Sequence, residues 1–228
     1  MFFTKSMNTK LILNFLAELS RENNREWFNA NKELYLECRR DFENFTAEFI
    51  DAMQRIDPAL HGLAPKDCIW RIYRDVRFSP DKRPYKEWFG AFLAPHGGKK
   101  SPYGGYYFHL QPGHCLFSGG IWCPEPKLLK ALRQSIFDNA DELEDLMSAP
   151  AFKKYFVDFD TDNMLQRVPQ GFPASWQHAD WLRRKAFTCS HLFTDKEVNA
   201  PDFLNRLVDV AKAFKPVNDF LNYTFEEL

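Results

Sequence analysis

Residues 71 to 86 read RIYRDVRFSPDKRPYK, in which Arg71, Arg74, Arg77, Lys82, Arg83 and Lys86 outnumber Asp75 and Asp81 by four charges. Guanidinium groups are planar forks of donors that match carboxylate and phosphate oxygens, and lysines add mobile point charge. Such an excess points to an anion site. In it Arg71, Arg74, Arg77, Lys82 and Lys86 would hold the ligand, Asp75 or Asp81 would orient the arginines or act as base, and Tyr85 or His109 would donate a proton. Arg167, in QRVPQGF, is a further arginine that could reach the same site or pair with the acidic run Asp158 to Asp162. The competing reading is an ion-pair lattice in which Asp75, Asp81 and nearby acids neutralise the arginines.

Other constellations are weaker. HGGKKSPYGG and SGGIWCPEP are glycine-rich and leave backbone open to a ligand or a neighbouring strand, with tight turns and bulges as the simpler explanation. Neither has the Gly-x-x-x-x-Gly-Lys-Ser/Thr spacing of a phosphate loop or a dinucleotide fingerprint, so no cofactor is expected. His109 and His114, near Cys115 and Cys123, fit no standard metal spacing, and none is expected there. His109 beside Tyr107 suits acid–base work better. No nucleophile elbow and no His-Glu-x-x-His occurs.

Lys plus Arg (30) nearly balance Asp plus Glu (31), so any basic site must be local, and a dedicated nucleic-acid binder is disfavoured. The five cysteines form no Cys-x-x-Cys pair, which argues against a disulfide framework and suits a reducing compartment. No stretch approaches the ~20 apolar residues of a membrane helix. A soluble, cytoplasmic protein with no membrane partner is the expectation.

The elements that must position these residues follow from periodicity. Asn8 or Thr9 can cap a helix over KLILNFLAELS, and residues 1 to 8 should be loosely ordered. Leu34, Cys38, Phe42, Phe45, Phe49, Met53 and Ile56 then recur at helical spacing up to Asp57-Pro58. Period-two alternation puts Trp70, Ile72, Val76 and Phe78 on one face of a strand, with Arg71, Tyr73, Asp75 and Arg77 on the other. EWFGAFLAP predicts a second strand. YYFHLQPGHCLFSGGIW predicts a hairpin with Pro112-Gly113 at its tip, which places Tyr107, His109 and Gln111 on one face. A helical stripe runs from Leu129 to Met147, a short helix from Pro150, and residues 158 to 185 read as loop. AFTCSHLF is a further strand. The last helix carries Phe203, Leu207, Val210, Phe214, Val217 and Leu221 on one side, and Pro216 should kink or divide it. Helices flanking a run of adjacent strands predict an α+β fold: one domain with a mainly antiparallel sheet over about residues 69–122 plus 186–193.

The ordered motifs RIYRDVRFSPDKRPYK, GGYYFHLQPG, SGGIWCPEP and RVPQGF resemble those of a bacterial and fungal family of conserved hypothetical proteins, domain of unknown function 2461. The resemblance covers nearly the whole chain from about Leu11 and supplies no catalytic assignment. It marks Arg71, Arg74, Asp75, Arg77, Asp81, Lys82, Pro84, Tyr85 and Lys86, with His109 and Arg167, as more site than scaffold. Three functions remain open: binding of an anionic or phosphorylated small molecule, with or without action on it; a single-stranded nucleic-acid module; or a partner surface rimmed by Trp88, Tyr103 and Trp122.

Overall fold

The computed structural model describes residues 7–226; of the segment expected to be loosely ordered, residues 1 to 6 lie outside the described residues. Asn8 accepts the Leu11 N–H at 3.1 Å and caps α1 (Thr9–Arg21), whose Ile12, Phe15, Leu16 and Leu19 are buried. Asn24 caps the short α2 (Arg25–Ala30) in the same way. α3 (Lys32–Gln54) follows, and Tyr35, Cys38, Phe42, Phe45, Phe49 and Met53 form its buried stripe. It stops just before Asp57-Pro58, where the sequence places its end. After it comes α4 (Pro65–Cys68).

The four strands are β1 (Phe89–Leu93), β2 (Gly105–Leu110), β3 (Cys115–Ile121) and β4 (Phe187–Phe193), in an antiparallel sheet of order β1-β2-β3-β4. The fold is therefore α+β, as the element order requires. Phe108 of β2 meets the rings of Phe42, Phe45 and Phe49 at 5.0, 5.4 and 5.6 Å, which sets the spacing between α3 and the sheet. The His114 N–H donates to the Gln111 carbonyl at 2.9 Å and Gly113 has φ 69°, so Pro112-Gly113 forms the hairpin tip.

One expected strand is absent. Residues 70–78 form no strand and touch the sheet through the isolated bridge Ile69 to Ala91, with a second bridge from Tyr73 to Tyr85. The bridges span four residues on one side and six on the other, so two extra residues interrupt the ladder. Alternation survives at Ile72, which is buried, and fails at Phe78, which is 94% exposed. Pro80 and Pro84 cannot donate to a ladder, and Arg74 N–H bonds instead to the Pro84 carbonyl at 2.9 Å. The stretch is an arm doubled back on itself beside β1.

The helical stripe after Pro126 breaks at Asn139 into α5 (Pro126–Asp138) and α6 (Ala140–Ser148). α7 (Pro150–Lys153) follows, and the expected loop 158–185 contains one short helix, α8 (Ala179–Arg183). After β4 come α9 (Asp195–Val198) and α10 (Phe203–Glu226). Pro216 does not divide α10. Pro216 and Lys212, four residues earlier, both face solvent, so water can serve the carbonyl that proline leaves without a donor. The described residues cluster into two compact units, one of residues 7–100, 107–117 and 192–208, the other of 101–106, 118–191 and 209–226. No helix among the described residues is long and apolar enough to cross a membrane.

Candidate functional site

Within the first unit an open cleft of about 530 Å³ is lined by Tyr35, Arg39, Ile69, Trp70, Arg71, Lys86, Lys99 and Lys100. Five of these eight side chains are cationic, and none is a carboxylate. α3 supplies Arg39, whose Nε pairs with Glu43 at 2.6 Å and whose Nη1 donates to the Trp70 carbonyl at 3.1 Å. The two limbs of the arm supply Arg71 and Lys86, and Lys86 Nζ donates to the Arg71 carbonyl at 2.7 Å while lying 5.2 Å from the Trp88 ring centroid. The 3₁₀ turn Gly98–Lys100 supplies the remaining lysines, and Lys99 Nζ donates to the Lys66 carbonyl at 2.6 Å. Gly98 makes that turn possible. Its φ is 58°, and a Cβ there would fall 2.7 Å from the Asp67 carbonyl oxygen, so a side chain would push the turn off α4.

The electrostatics of the cleft show in Lys86. Burial, followed by the positive charges of Arg71 and Arg74, pulls its ammonium below the usual lysine range. A cation that its surroundings disfavour is one that an incoming anion would relieve.

Farther out, the arm closes its own charges. Arg74 pairs with Asp81 at 2.7 Å and also donates to the Arg83 carbonyl at 3.1 Å. Arg83 meets Asp81 at 2.8 Å and Glu87 at 2.5 Å. Arg77 grips Asp75 through two bonds of 3.0 and 2.6 Å. Lys82 Nζ donates to the Val76 carbonyl at 3.1 Å. Hydrogen bonds from Arg83, and then from Arg74, hold the Asp81 carboxyl well below the carboxylate range. Within the stretch, Arg74, Asp75, Arg77, Asp81 and Arg83 thus form a paired lattice, whereas Arg71 and Lys86 line the cleft.

Tyr85 lies away from the cleft lining, stacked on Phe28 of α2 with centroids 3.9 Å apart. Its N–H donates to Asn23 Oδ1 at 3.1 Å, and Asn23 Nδ2 donates back to its carbonyl at 3.0 Å. Burial pushes its phenol up, so it is a poor proton donor where it stands and a good anchor for the arm. Next to it Lys32 Nζ donates to the Tyr73 hydroxyl at 3.0 Å and lies 5.2 Å from the centroids of Phe28 and Tyr35.

His109 belongs to a separate chain of bonds on the face of β2 that the hairpin pattern assigns to it. Gln111 Oε1 can only accept, so His109 Nε2 carries the hydrogen at 3.0 Å, and Nδ1 accepts from the Tyr107 hydroxyl at 2.6 Å. Trp88 covers the imidazole with centroids 5.1 Å apart. Burial lowers the His109 pKa, the Gln111 bond opposes this, and the charge of His114 adds to it. An NMR titration of the ring is expected to give a midpoint below the ordinary ~6.5. Between that midpoint and ~6.5 the unfolded chain binds a proton that the native one refuses, so stability falls as pH drops through this window. A midpoint at or above the ordinary value would contradict a buried imidazole whose charged form is disfavoured. Arg167 lies exposed in the second unit. Among the described residues no three His, Cys, Asp or Glu side chains gather as metal ligands.

A family model described as Conserved hypothetical protein (DUF2461) matches residues 11–220. The chain belongs to that family. The match takes in every residue that lines the cleft. No curated protein and no solved structure matches the chain.

Of the eight lining residues, only Arg71 and Lys86 are site candidates by sequence; Trp70 reads there as an apolar strand position, and Tyr35, Arg39, Ile69, Lys99 and Lys100 are not candidates. Lys99-Lys100 carried a signal, since HGGKKSPYGG stands out as a basic loop with glycines able to approach a neighbour. Arg39 carried none, because one arginine beside the apolar stripe of a helix looks like any solvated charge.

Proposed function

We propose that the protein binds a small anionic ligand, bearing phosphate or carboxylate, in the cleft between α3, the base of the arm and the turn Gly98–Lys100. The observation that carries this reading is the convergence of Arg39, Arg71, Lys86, Lys99 and Lys100 without a carboxylate in the lining. Ordinary charged surfaces intersperse the two signs, as the outer arm does. The donors are also held in place. Lys86 and Lys99 each give one N–H to a backbone carbonyl, which leaves two of the three ammonium hydrogens for a ligand. Holding them beforehand reduces the ordering cost of binding.

Titration calorimetry with pyrophosphate at fixed ionic strength tests the reading. Wild type is expected to bind, and Arg71→Ala to bind about tenfold more weakly, the low end for a hydrogen bond to a charged group because Arg71 is exposed. Arg77→Ala should match wild type, because Asp75 already occupies that guanidinium. Equal affinity of Arg71→Ala and wild type, or no heat from any anion, defeats the proposal.

A further inference from the structure

We infer that the ligand of this cleft is an organic diphosphate, two linked phosphate groups carried on an apolar or planar body. The inference rests on the anion-binding reading above and narrows it.

Charge gives the first argument. Of the five lining cations, Arg39 is already matched by Glu43, and Arg71, Lys86, Lys99 and Lys100 have no carboxylate partner in the lining. A phosphate monoester brings about −1.5 to −2. Four open cations are better balanced by about −3, the charge of a diphosphate ester near neutral pH, because complementary potentials favour the partner that cancels the field.

The arrangement of donors gives the second. Lys86 is tied to the Arg71 carbonyl within the arm, and Lys99 to the carbonyl of Lys66 in α4. These are two separately anchored ammonium groups on different chain segments; Lys86 feels the charge of Arg71, and Lys99 is followed in the chain by Lys100, which also lines the cleft. Two cation pairs suit two phosphoryl groups.

Size and lining give the third. The cleft is far larger than a single phosphate group needs. About 530 Å³ lies within the range of organic-ligand sites. The uncharged part of the lining is Tyr35, Ile69 and Trp70. Trp70 is held by near-perpendicular contacts with Tyr107 at 5.4 Å and Trp88 at 6.3 Å, so its indole offers a fixed surface to a hydrophobic or aromatic body.

Calorimetry on the full chain with inorganic phosphate, pyrophosphate, adenosine monophosphate, adenosine diphosphate and geranyl diphosphate tests the inference. At least one of the two organic diphosphates is expected to bind about 100-fold more tightly than inorganic phosphate and about tenfold more tightly than pyrophosphate. The better of the two identifies the body as nucleoside or isoprenoid. Lys99→Ala/Lys100→Ala should weaken diphosphate binding more than monophosphate binding, and so narrow the gap between the two. Equal binding of adenosine monophosphate and diphosphate, with geranyl diphosphate no better, overturns the diphosphate assignment while leaving the anion site intact. Pyrophosphate equal to both organic ligands overturns the organic body. No binding by any of the five probes overturns the inference together with the anion site itself.

Discussion

Gly120→Ala is expected to lose about 3 kcal/mol or more of stability, read as a fall in Tm of roughly 6–12 °C at the 2–4 °C per kcal/mol usual for a chain of this size. Gly120 sits inside β3 with φ 115°, a conformation that side chains rarely adopt. A Cβ there would stand 2.0 Å from the Phe187 carbonyl oxygen and 3.1 Å from its carbon. The obstacle is the backbone of β4, which cannot rotate aside as a flexible side chain would. Relief would require β3 and β4 to separate, and with them their ladder. Gly62→Ala provides the control. Its φ is 85° with nothing within 4 Å of the added carbon, so it bears the conformational term alone, about 1 kcal/mol. Thermal unfolding of the two variants side by side separates strain from collision. Equal losses would mean that β3 and β4 do not approach as closely as described.

Gly119-Gly120 also shows what the sequence could and could not convey. A glycine pair announces close backbone approach, and HGGKKSPYGG and SGGIWCPEP drew attention for that reason. Whether ligand, turn or strand makes the approach is decided by a segment almost seventy residues away, at Phe187. The long helices were legible because their signal is local and repeated: α3 shows its buried stripe from Tyr35 to Met53 within its own sequence. The arm reads as a strand in the sequence because Trp70 to Phe78 alternates, and alternation is necessary for a half-buried strand without being sufficient. Pro80 and Pro84 deny the ladder its donors, and the extra residues between the two bridges prevent a continuous register.

For the site, charge was legible and pairing was only partly so. One signal for the pairing was present. Asp75-Val76-Arg77 and Asp81-Lys82-Arg83 repeat an Asp-x-Arg spacing, and in each the carboxylate accepts both the guanidinium and the backbone N–H of the arginine, at 3.2 Å for Arg77 N and 3.0 Å for Arg83 N. This is the local turn that aspartate favours, reinforced by a charge. It marks Arg77 and Arg83 as internally matched; of the four other cations in the stretch, Arg74 pairs with Asp81, Lys82 donates to the Val76 carbonyl, and Arg71 and Lys86 line the cleft. Their companions Arg39, Lys99 and Lys100 come from elsewhere in the chain, which a reading confined to one stretch cannot assemble.

Lys86→Met is expected to leave the stability of the ligand-free protein unchanged or to raise Tm by ~1–2 °C, while weakening anion binding. The charged form of Lys86 is disfavoured by burial and by Arg71 and Arg74, so removing the charge relieves a conflict built into the native state. Methionine keeps the length and the soft contact with the Trp88 ring, against the loss of one hydrogen bond to the Arg71 carbonyl. The pH dependence follows the same sign. Because the folded pKa of Lys86 lies below the ordinary value of 10.5, unfolding takes up a proton between the two. Wild-type stability from this group therefore rises with pH across that window, and the methionine variant should lack the rise. Binding should move the other way: losing a charge-assisted hydrogen bond worth about 1.5–3 kcal/mol weakens Kd for pyrophosphate roughly 10- to 150-fold. A residue that only holds the arm in place would show the reverse pattern, a fall of several degrees in Tm with Kd unchanged. Stability kept or gained as affinity is lost distinguishes a charge retained for a ligand from one retained for the fold.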